Sequence, residues 1–340
     1  MSRRAPQIAG ELSLIEQIRR TFPSRGRSVT LGIGDDCAIL RPPANHEILV
    51  TTDFSLEGRH FRRDLHPPAS VGHRCLARGL SDLAAMGGTP VAAFLSLALP
   101  NGLLASNKGR RWVAGFFKGM RDLAAEHSTP LAGGDTASSP TDLILADIVL
   151  IGSAPGGKAL RRSGARPGDA IYVTGALGGA HAELTALLSS NRPSRATTAA
   201  PHPHFYPQPR LAVGAALLKK RLATSAIDLS DGLSTDLMHL CKSSNVAAAI
   251  DRASLPLHSL LAKLPPDDAL HAAIHGGEDY ELLFTAPAAK RIPQRIAGVT
   301  ITRIGTVLRK QRDRSTMTLI ETDGKRRELK PAGWQHLTGR

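Results

Sequence analysis

Short runs of apolar residues alternate along the chain with stretches in which apolar positions recur every three or four residues. The strand-like runs are 47–52, 91–99 and 143–151, and helical periodicity falls between them, at 69–86 and 110–125. In the first helix Val71, Cys75, Leu76, Leu80 and Leu83 form one stripe, which Gly87-Gly88 and Pro90 bring to a stop. In the second, Trp112, Phe116, Met120 and Leu123 share a face. A second block opens after the turn-rich Ala165-Arg-Pro-Gly-Asp169. It has a strand at 170–174, helices near 180–188, 211–222 and 233–241, and strands at 281–285 and 299–307. This alternation predicts an α/β (α+β) protein, with domains at 1–155 and 156–340. Residues 191–210, rich in Pro, Ser, Thr and His, read as a long surface loop.

The 340 residues, 42% hydrophobic and 21% charged, provide for about two globular domains. The longest apolar run, 143–151, is interrupted by Asp147 and falls short of a membrane span. No apolar stretch follows the opening Met1-Ser-Arg-Arg-Ala-Pro, because Glu11 and Glu16 interrupt the first candidate helix, so a cytoplasmic location without a membrane partner is expected. Cys37, Cys75 and Cys241 show no C-x-x-C spacing, which fits a reducing compartment without structural zinc. The formal net charge of +14 raises the question of a nucleic-acid partner. Its excess gathers at Arg303, Arg309, Lys310, Arg312, Arg314, Lys325, Arg326 and Arg327, flanking an alternating run at 316–322 like a charged hairpin. No aromatic residue interleaves with that cluster, so a base-stacking platform is missing and no nucleic-acid partner is expected.

Acidic residues are few, yet several lie in glycine-bounded, otherwise apolar segments, where a carboxylate without a counter-ion is costly. The segments are Gly32-Ile-Gly-Asp35-Asp36, Thr51-Thr52-Asp53, Leu80-Ser81-Asp82, Gly133-Gly134-Asp135-Thr136 and Asp228-Leu-Ser230-Asp231-Gly232. Each is expected to set its aspartate at the end of a strand or helix. One such aspartate is adequately explained by a turn or a helix cap; five together call for cations. Hard oxygen donors without convergent His or Cys suit Mg²⁺, which implies a nucleotide phosphate. Three further features are weaker. Gly152-Ser-Ala-Pro-Gly-Gly157-Lys158 resembles a phosphate loop but has Ala159 where a hydroxyl is needed. Gly175-Ala-Leu-Gly178-Gly179 opens a helix and suits either an anion or close helix–sheet packing. His202-Pro-His204 reads as solvated loop rather than metal site.

Taken in order, the acidic segments resemble the thiamine-monophosphate kinase family, within the superfamily of aminoimidazole ribonucleotide synthetase. The strings that carry the resemblance begin with Gly10-Glu11…Leu14-Ile15, Leu31-Gly-Ile-Gly-Asp-Asp-Cys-Ala-Ile-Leu40, Thr51-Thr-Asp53…Glu57-Gly-Arg-His-Phe61 and Leu80-Ser-Asp-Leu-Ala-Ala-Met-Gly87. They continue with Gly133-Gly-Asp-Thr136, Arg162-Ser-Gly164, Ile227-Asp-Leu-Ser-Asp-Gly-Leu233, Gly276-Gly-Glu-Asp-Tyr-Glu-Leu-Leu-Phe284 and Gly333-Trp334. The resemblance implies a two-domain aminoimidazole ribonucleotide synthetase-like fold, its N-terminal domain forming a β-barrel across a homodimer and its C-terminal domain α/β. It implies ATP-dependent phosphorylation of thiamine monophosphate to thiamine diphosphate. Residue by residue, it implies that Asp35, Asp36, Thr51, Thr52, Asp53, Asp82, Asp135, Asp228 and Asp231 hold several Mg²⁺ ions, with Asp53, Asp82 and Asp228 central to catalysis. Gly134, Asp135, Arg162, Ser230 and Phe117 would contact ATP; His60, Glu278 and Trp334 would contact the thiamine portion.

The chain departs from the family pattern in having Ala137-Ser-Ser-Pro where an arginine is frequent, Thr51 where serine is common, and a longer 191–210 loop. The acceptor, a phosphate oxygen, is already anionic, so direct in-line transfer without a strong general base or a phosphoenzyme is expected. Alternatives are a relative acting on a purine precursor and a non-catalytic scaffold binding nucleotide or nucleic acid. Of two other relatives in that superfamily, a selenophosphate synthetase is disfavoured because no cysteine precedes Cys37, and a hydrogenase maturation factor, which needs a C-terminal cysteine, because Leu337-Thr-Gly-Arg340 carries none.

Overall fold

The computed structural model describes residues 11–22, 28–312 and 314–334. The opening Met1-Ser-Arg-Arg-Ala-Pro, Gly10 and the final Leu337-Thr-Gly-Arg340 lie outside the described residues. The chain divides into two compact units. The first is Met1–Leu80, Pro90–Pro155 and Asn191–Ala200; the second is Ser81–Thr89, Gly156–Ser190 and Pro201–Arg340.

The first unit is built from α1 (Glu11–Thr21), β1 (Val29–Leu31), β2 (Ile39–Leu40), β3 (His46–Leu56), α2 (Pro68–Ala85), β4 (Thr89–Pro100), α3 (Asn107–Glu126), β5 (Leu131–Ser139) and β6 (Leu145–Pro155). From Ser81 onward α2 counts with the second unit. β1 and β2 pair by themselves, while the others form a four-stranded mixed sheet in the order β3-β6-β4-β5. β3 runs antiparallel to β6 and β5 parallel to β4. The stripe on α2 is buried as its spacing predicts, with Cys75, Leu76, Leu80 and Leu83 at most 1% exposed. α2 and α3 meet backbone to backbone: a Cβ on Gly72 would overlap the Phe116 carbonyl, and one on Gly119 the Ala69 carbonyl, so glycine alone permits the crossing. Ser106 caps α3, its Oγ accepting the Gly109 N–H at 2.9 Å.

The period of two along β3 and β6 gives the sheet two unlike faces. Ile148 and Leu150 are fully buried on one, whereas Ile48, Val50 and Phe54 of β3 are 45%, 64% and 62% exposed on the other. Within one chain this sheet is open, and no barrel closes among the described residues.

The second unit comprises β7 (Ala170–Thr174), α4 (Gly179–Ser190), α5 (Leu211–Lys219), β8 (Ser225–Asp228), α6 (Leu233–Ser244), β9 (Val246–Asp251), α7 (Pro266–His275), β10 (Leu282–Ala286), β11 (Arg295–Ile296), β12 (Val299–Arg309), β13 (Met317–Ile320) and β14 (Arg326–Glu328). Its sheet runs β14-β13-β9-β12-β7-β10-β8, with β11 on β12, and the β9–β13 pair is parallel among antiparallel neighbours. Ile171, Val173, Leu237, Leu240, Ile250, Leu283, Ile304 and Leu319 share its core. β13 and β14 form the charged hairpin, with Arg326 and Arg327 exposed.

Three expectations need correction. Asp53 and Asp135 do not end their strands: Asp53 lies within β3 and Asp135 within β5. The stretch 201–210 is not a solvated loop, since His204, Phe205 and Tyr206 are 1%, 4% and 7% exposed; its polar groups are taken up by α4 and by the segment before β10, as described below. After Gly152 the chain completes β6, turns at Gly156-Gly157 and runs on without a helix, so the phosphate-loop context is missing. Among the described residues no helix is long and apolar enough to cross a membrane.

Candidate functional site

In the first unit a cavity of about 650 Å³ opens between α1, the loop before β2, β4 and β5. Its apolar floor includes Ile15, Ile18, Phe94, Leu97 and Phe117, and its polar rim carries Glu11, Asp35, Asp36 and Asp135. Phe117 is set by edge-on contacts to Phe22 and Phe116, with ring centroids 6.0 and 5.4 Å away. Gly134 brings the β5 backbone against β4: its φ is +149°, and a Cβ there would overlap the Leu95 carbonyl. An apolar slot edged by carboxylates and close-lying backbone can hold a flat heteroaromatic ring with its attached phosphates. Glu11, which accepts from Thr136 Oγ1 at 3.1 Å, belongs to this rim although composition gave it no role.

On β3 the strand period separates neighbours. Thr52 turns to the open face, where its Oγ1 donates to Asp147 Oδ1 at 2.6 Å. Thr51 and Asp53 point to the other face, and Asp53 Oδ1 lies 4.0 Å from Arg78 Nε. The three side chains do not share a face, so one ion touched by all three residues requires a backbone oxygen from at least one. Beneath them the buried thiol of Cys75 is pushed up to about 12 by burial, opposed by a hydrogen bond to Ser55. His60 follows in the turn after β3. Its Nδ1 accepts the Leu56 N–H at 3.0 Å, which assigns its ring proton to Nε2, and its carbonyl accepts from Arg74 at 2.9 Å.

The second unit gathers several of the motifs at the end of β8. Asp228 ends that strand, and Ser81, the residue before half-buried Asp82, donates to Asp228 Oδ2 at 2.8 Å. The loop Leu229–Gly232 then enters α6, where Asp236 Oδ2 accepts the N–H groups of Asp231 and Gly232 at 3.1 and 3.0 Å. Burial, then the nearby Asp228 and Asp231 charges, hold the Asp236 carboxyl well above the usual range. Two other segments fasten to the loop through their backbones. Glu278 N–H donates to Ser230 O at 2.8 Å, Tyr280 N–H to Leu229 O at 2.9 Å, and Trp334 N–H to Asp231 O at 3.0 Å. Gly333 N–H adds a bond to Thr235 Oγ1 at 3.1 Å. Glu278 and Tyr280 have φ of +68° and +49°, strained values for residues with side chains. Trp334 remains 46% exposed.

The glycine-rich turn before α4 has its own anion. Asp279 accepts from Gly178 N–H at 2.7 Å and Ala180 N–H at 3.2 Å, so a protein carboxylate takes the place foreseen for a ligand. Burial raises that carboxyl to about 7, against the lowering effect of the two amide bonds. Beside it Glu281 is paired with Arg210 at 2.7 and 2.5 Å and accepts from Thr174 Oγ1 at 2.5 Å. Arg162 lies alongside β8: the Arg161 carbonyl accepts the Ala226 N–H at 2.9 Å, and the Arg162 carbonyl accepts from Ser244 Oγ at 2.9 Å. Sequence reasoning missed Asp147, Asp236 and Glu11. An aspartate in the first turn of a helix entered by Ser-Asp-Gly was a usable signal for Asp236; only strand pairing reveals Asp147.

Among the described residues no three or more His, Cys, Asp or Glu side chains converge to hold a metal. The donor sets are instead pairs and singles of oxygen ligands: Asp35 with Asp36, Asp53, Asp135, and Asp228 with Asp231. That fits Mg²⁺, which uses one or two carboxylates and fills its shell with water and phosphate oxygens, and it does not fit zinc.

A model of the AIR synthase related protein N-terminal domain matches residues 34–154, and one of the C-terminal domain matches 166–318. Fold and paired domains thus define an AIR-synthase-related protein. The thiamine-monophosphate kinase of Escherichia coli K12 is 41% identical over 87% of this chain and 90% of its own. A crystal structure of thiamine-monophosphate kinase from Stenotrophomonas maltophilia superposes with a TM-score of 0.76 at 37% identity, covering 93% of this chain and 96% of that one. AaThiL complexed with AMPPCP and TMP gives 0.73 at 29% identity, over 99% and 100% of the two chains. The chain belongs to the thiamine-monophosphate kinase family.

Proposed function

We propose that this chain transfers the terminal phosphoryl group of ATP to thiamine monophosphate, giving thiamine diphosphate and ADP. The observation that carries this reading is the convergence at the end of β8, where Glu278 and Trp334 are hydrogen-bonded through their backbones to Ser230 and Asp231. A carboxylate and an exposed indole suit a cationic, aromatic substrate: a ring-on-cation contact contributes about 0.5–2 kcal/mol, and Glu278 complements the thiazolium charge. His60 is the third thiamine contact in this reading. Gly134, Asp135 and Phe117, with Ser230 and Arg162, are assigned to ATP; the cavity floor and the close-lying Gly134 backbone support the first three. The AMPPCP and TMP of the related complex support the same pair of substrates.

The acceptor oxygen is ionised at neutral pH, so no residue need remove a proton; the obstacle is the repulsion between two polyanions. Asp35, Asp36, Thr51, Thr52, Asp53, Asp82, Asp135, Asp228 and Asp231 would hold Mg²⁺, with Asp53, Asp82 and Asp228 closest to the chemistry. Mg²⁺ held by these side chains would supply the positive charge that offsets this repulsion. Transfer is direct and in line, without a phosphoenzyme. Residues 1–155 serve ATP, Mg²⁺ and dimerisation, and 156–340 form the α/β partner domain. The working form is a cytoplasmic homodimer whose open sheets close into a barrel; the exposed Ile48, Val50 and Phe54 support that pairing.

Coupled measurement of ADP release with thiamine monophosphate, ATP and Mg²⁺ tests the reading. Turnover is expected in the wild type and its loss in Asp53→Ala; an inactive wild type or a fully active variant overturns it.

A further inference from the structure

Residues 201–210 have no part in the assignment above, yet they are fastened at one end to α4 and at the other to the segment that carries Glu278. Glu183 of α4 anchors the start: it pairs with His202 Nδ1 at 2.5 Å and accepts the His204 backbone N–H at 2.9 Å. Arg210 anchors the end through its ion pair with Glu281. Between these points the His204 ring turns inward, edge-on to Phe205 with centroids 5.3 Å apart. The side chain of His204 is 1% exposed, and its Nδ1 lies 3.2 Å from Glu278 Oε2, while the Glu278 side chain keeps 22% of its surface. The buried imidazole therefore backs one carboxylate oxygen at ion-pair distance, without hydrogen-bond geometry, while part of the Glu278 side chain reaches the surface.

We propose that His204 is a positioning residue for substrate: it fixes the Glu278 carboxylate in the orientation that meets the cationic portion of thiamine monophosphate, with Glu183 holding the histidine in place. The inference rests on the reading of Glu278 as a thiamine contact. A glutamate has three side-chain torsions, and a carboxylate left free to sample them must be ordered each time substrate binds; a carboxylate held in advance avoids that loss. The φ of +68° at Glu278 fixes the backbone end of the same side chain, so His204 and the turn hold it from both ends. Phosphoryl transfer takes place at the other end of the substrate, so the effect falls on binding of one substrate and not on turnover.

The test is steady-state kinetics of His204→Leu, Glu183→Gln, Glu278→Gln and the His204→Leu/Glu278→Gln pair, with thiamine monophosphate and ATP varied separately, and His204→Asn as the conservative variant. His204→Leu is expected to raise KM for thiamine monophosphate about tenfold, equivalent to about 1.4 kcal/mol, with kcat and KM for ATP within about twofold. His204→Asn, which keeps a polar group packed against the Glu278 carboxylate, is expected to recover part of that loss. Glu183→Gln, which weakens the anchor and leaves the ring in place, is expected to give about a threefold rise in the same KM, and it decides the matter if His204→Leu does not fold. In the Glu278→Gln background, His204→Leu is expected to add nothing. An unchanged KM for thiamine monophosphate in the folded variants, equal effects on both substrates, or full additivity in the double variant overturns the proposal while leaving the reading of Glu278 intact. An unchanged KM in Glu278→Gln alone overturns the thiamine assignment of Glu278 beneath it.

Discussion

Asp279 offers a quantitative test of how the turn before β10 is built. Its carboxyl is buried, accepts two amide bonds from the start of α4, and is raised from 3.8 to about 7, chiefly by burial. The folded protein thus keeps this proton to higher pH than the unfolded chain does. Stability from the group is complete below about pH 4 and is lost as pH rises through about 7. A difference of about three pKa units at about 1.4 kcal/mol each amounts to about 4 kcal/mol. Asp279→Asn keeps an acceptor for the Gly178 amide but cannot ionise, so its own contribution is independent of pH. The stability of Asp279→Asn relative to wild type is expected to rise by about 2 kcal/mol between about pH 5 and pH 7, and to level off above about pH 8. Urea unfolding followed by far-UV circular dichroism, run in parallel on both proteins across that range, measures it. Parallel pH profiles, differing by a constant offset, would refute the argument that a buried, ionised carboxylate destabilises the fold at this position.

Three further outcomes follow from features already described. Arg210→Leu leaves the Glu281 carboxylate buried without its guanidinium and is expected to cost about 3–5 kcal/mol in urea unfolding, with part recovered in Arg210→Leu/Glu281→Leu; a loss below about 1 kcal/mol contradicts the pairing. Gly134→Ala forces a side chain into the Leu95 carbonyl at a φ of +149°, so AMPPCP affinity by calorimetry is expected to fall at least about tenfold; unaltered affinity removes Gly134 from the nucleotide site. Val50→Asp/Phe54→Asp places two charges on the open sheet face and is expected to give a monomer in sedimentation equilibrium; a mass equal to that of a dimeric wild type shows that the face pairs with nothing.

Long periodic segments were legible in the sequence because their burial follows their spacing. The stripe on α2, the shared face of α3 and strand β7 lie where apolar periodicity put them. β5 was not legible: Leu131-Ala-Gly-Gly-Asp-Thr-Ala-Ser-Ser lacks β-branched runs and contains two glycines, and it becomes a strand by pairing in parallel with β4. β9 escaped for a related reason, since Val246-Ala-Ala-Ala-Ile has no alternation to read. Asp228, Ser230 and Asp231 were singled out by residue type and order, and Glu278 and Trp334 by the family resemblance; the backbone bonds that join them are tertiary facts with no local signature. The same holds for 201–210, whose composition is that of a loop and whose burial comes from Glu183, Glu278 and Glu281, all distant in sequence.

The left-handed backbone at Glu278 sets fold and chemistry against each other at one position. Glycine would relax that conformation and firm up the turn by about 1 kcal/mol, so a screen for heat-resistant variants would be drawn to Glu278→Gly. On the proposed assignment, such a winner would have given up the carboxylate set against the thiazolium, and endurance would have been gained at the expense of the enzyme's trade.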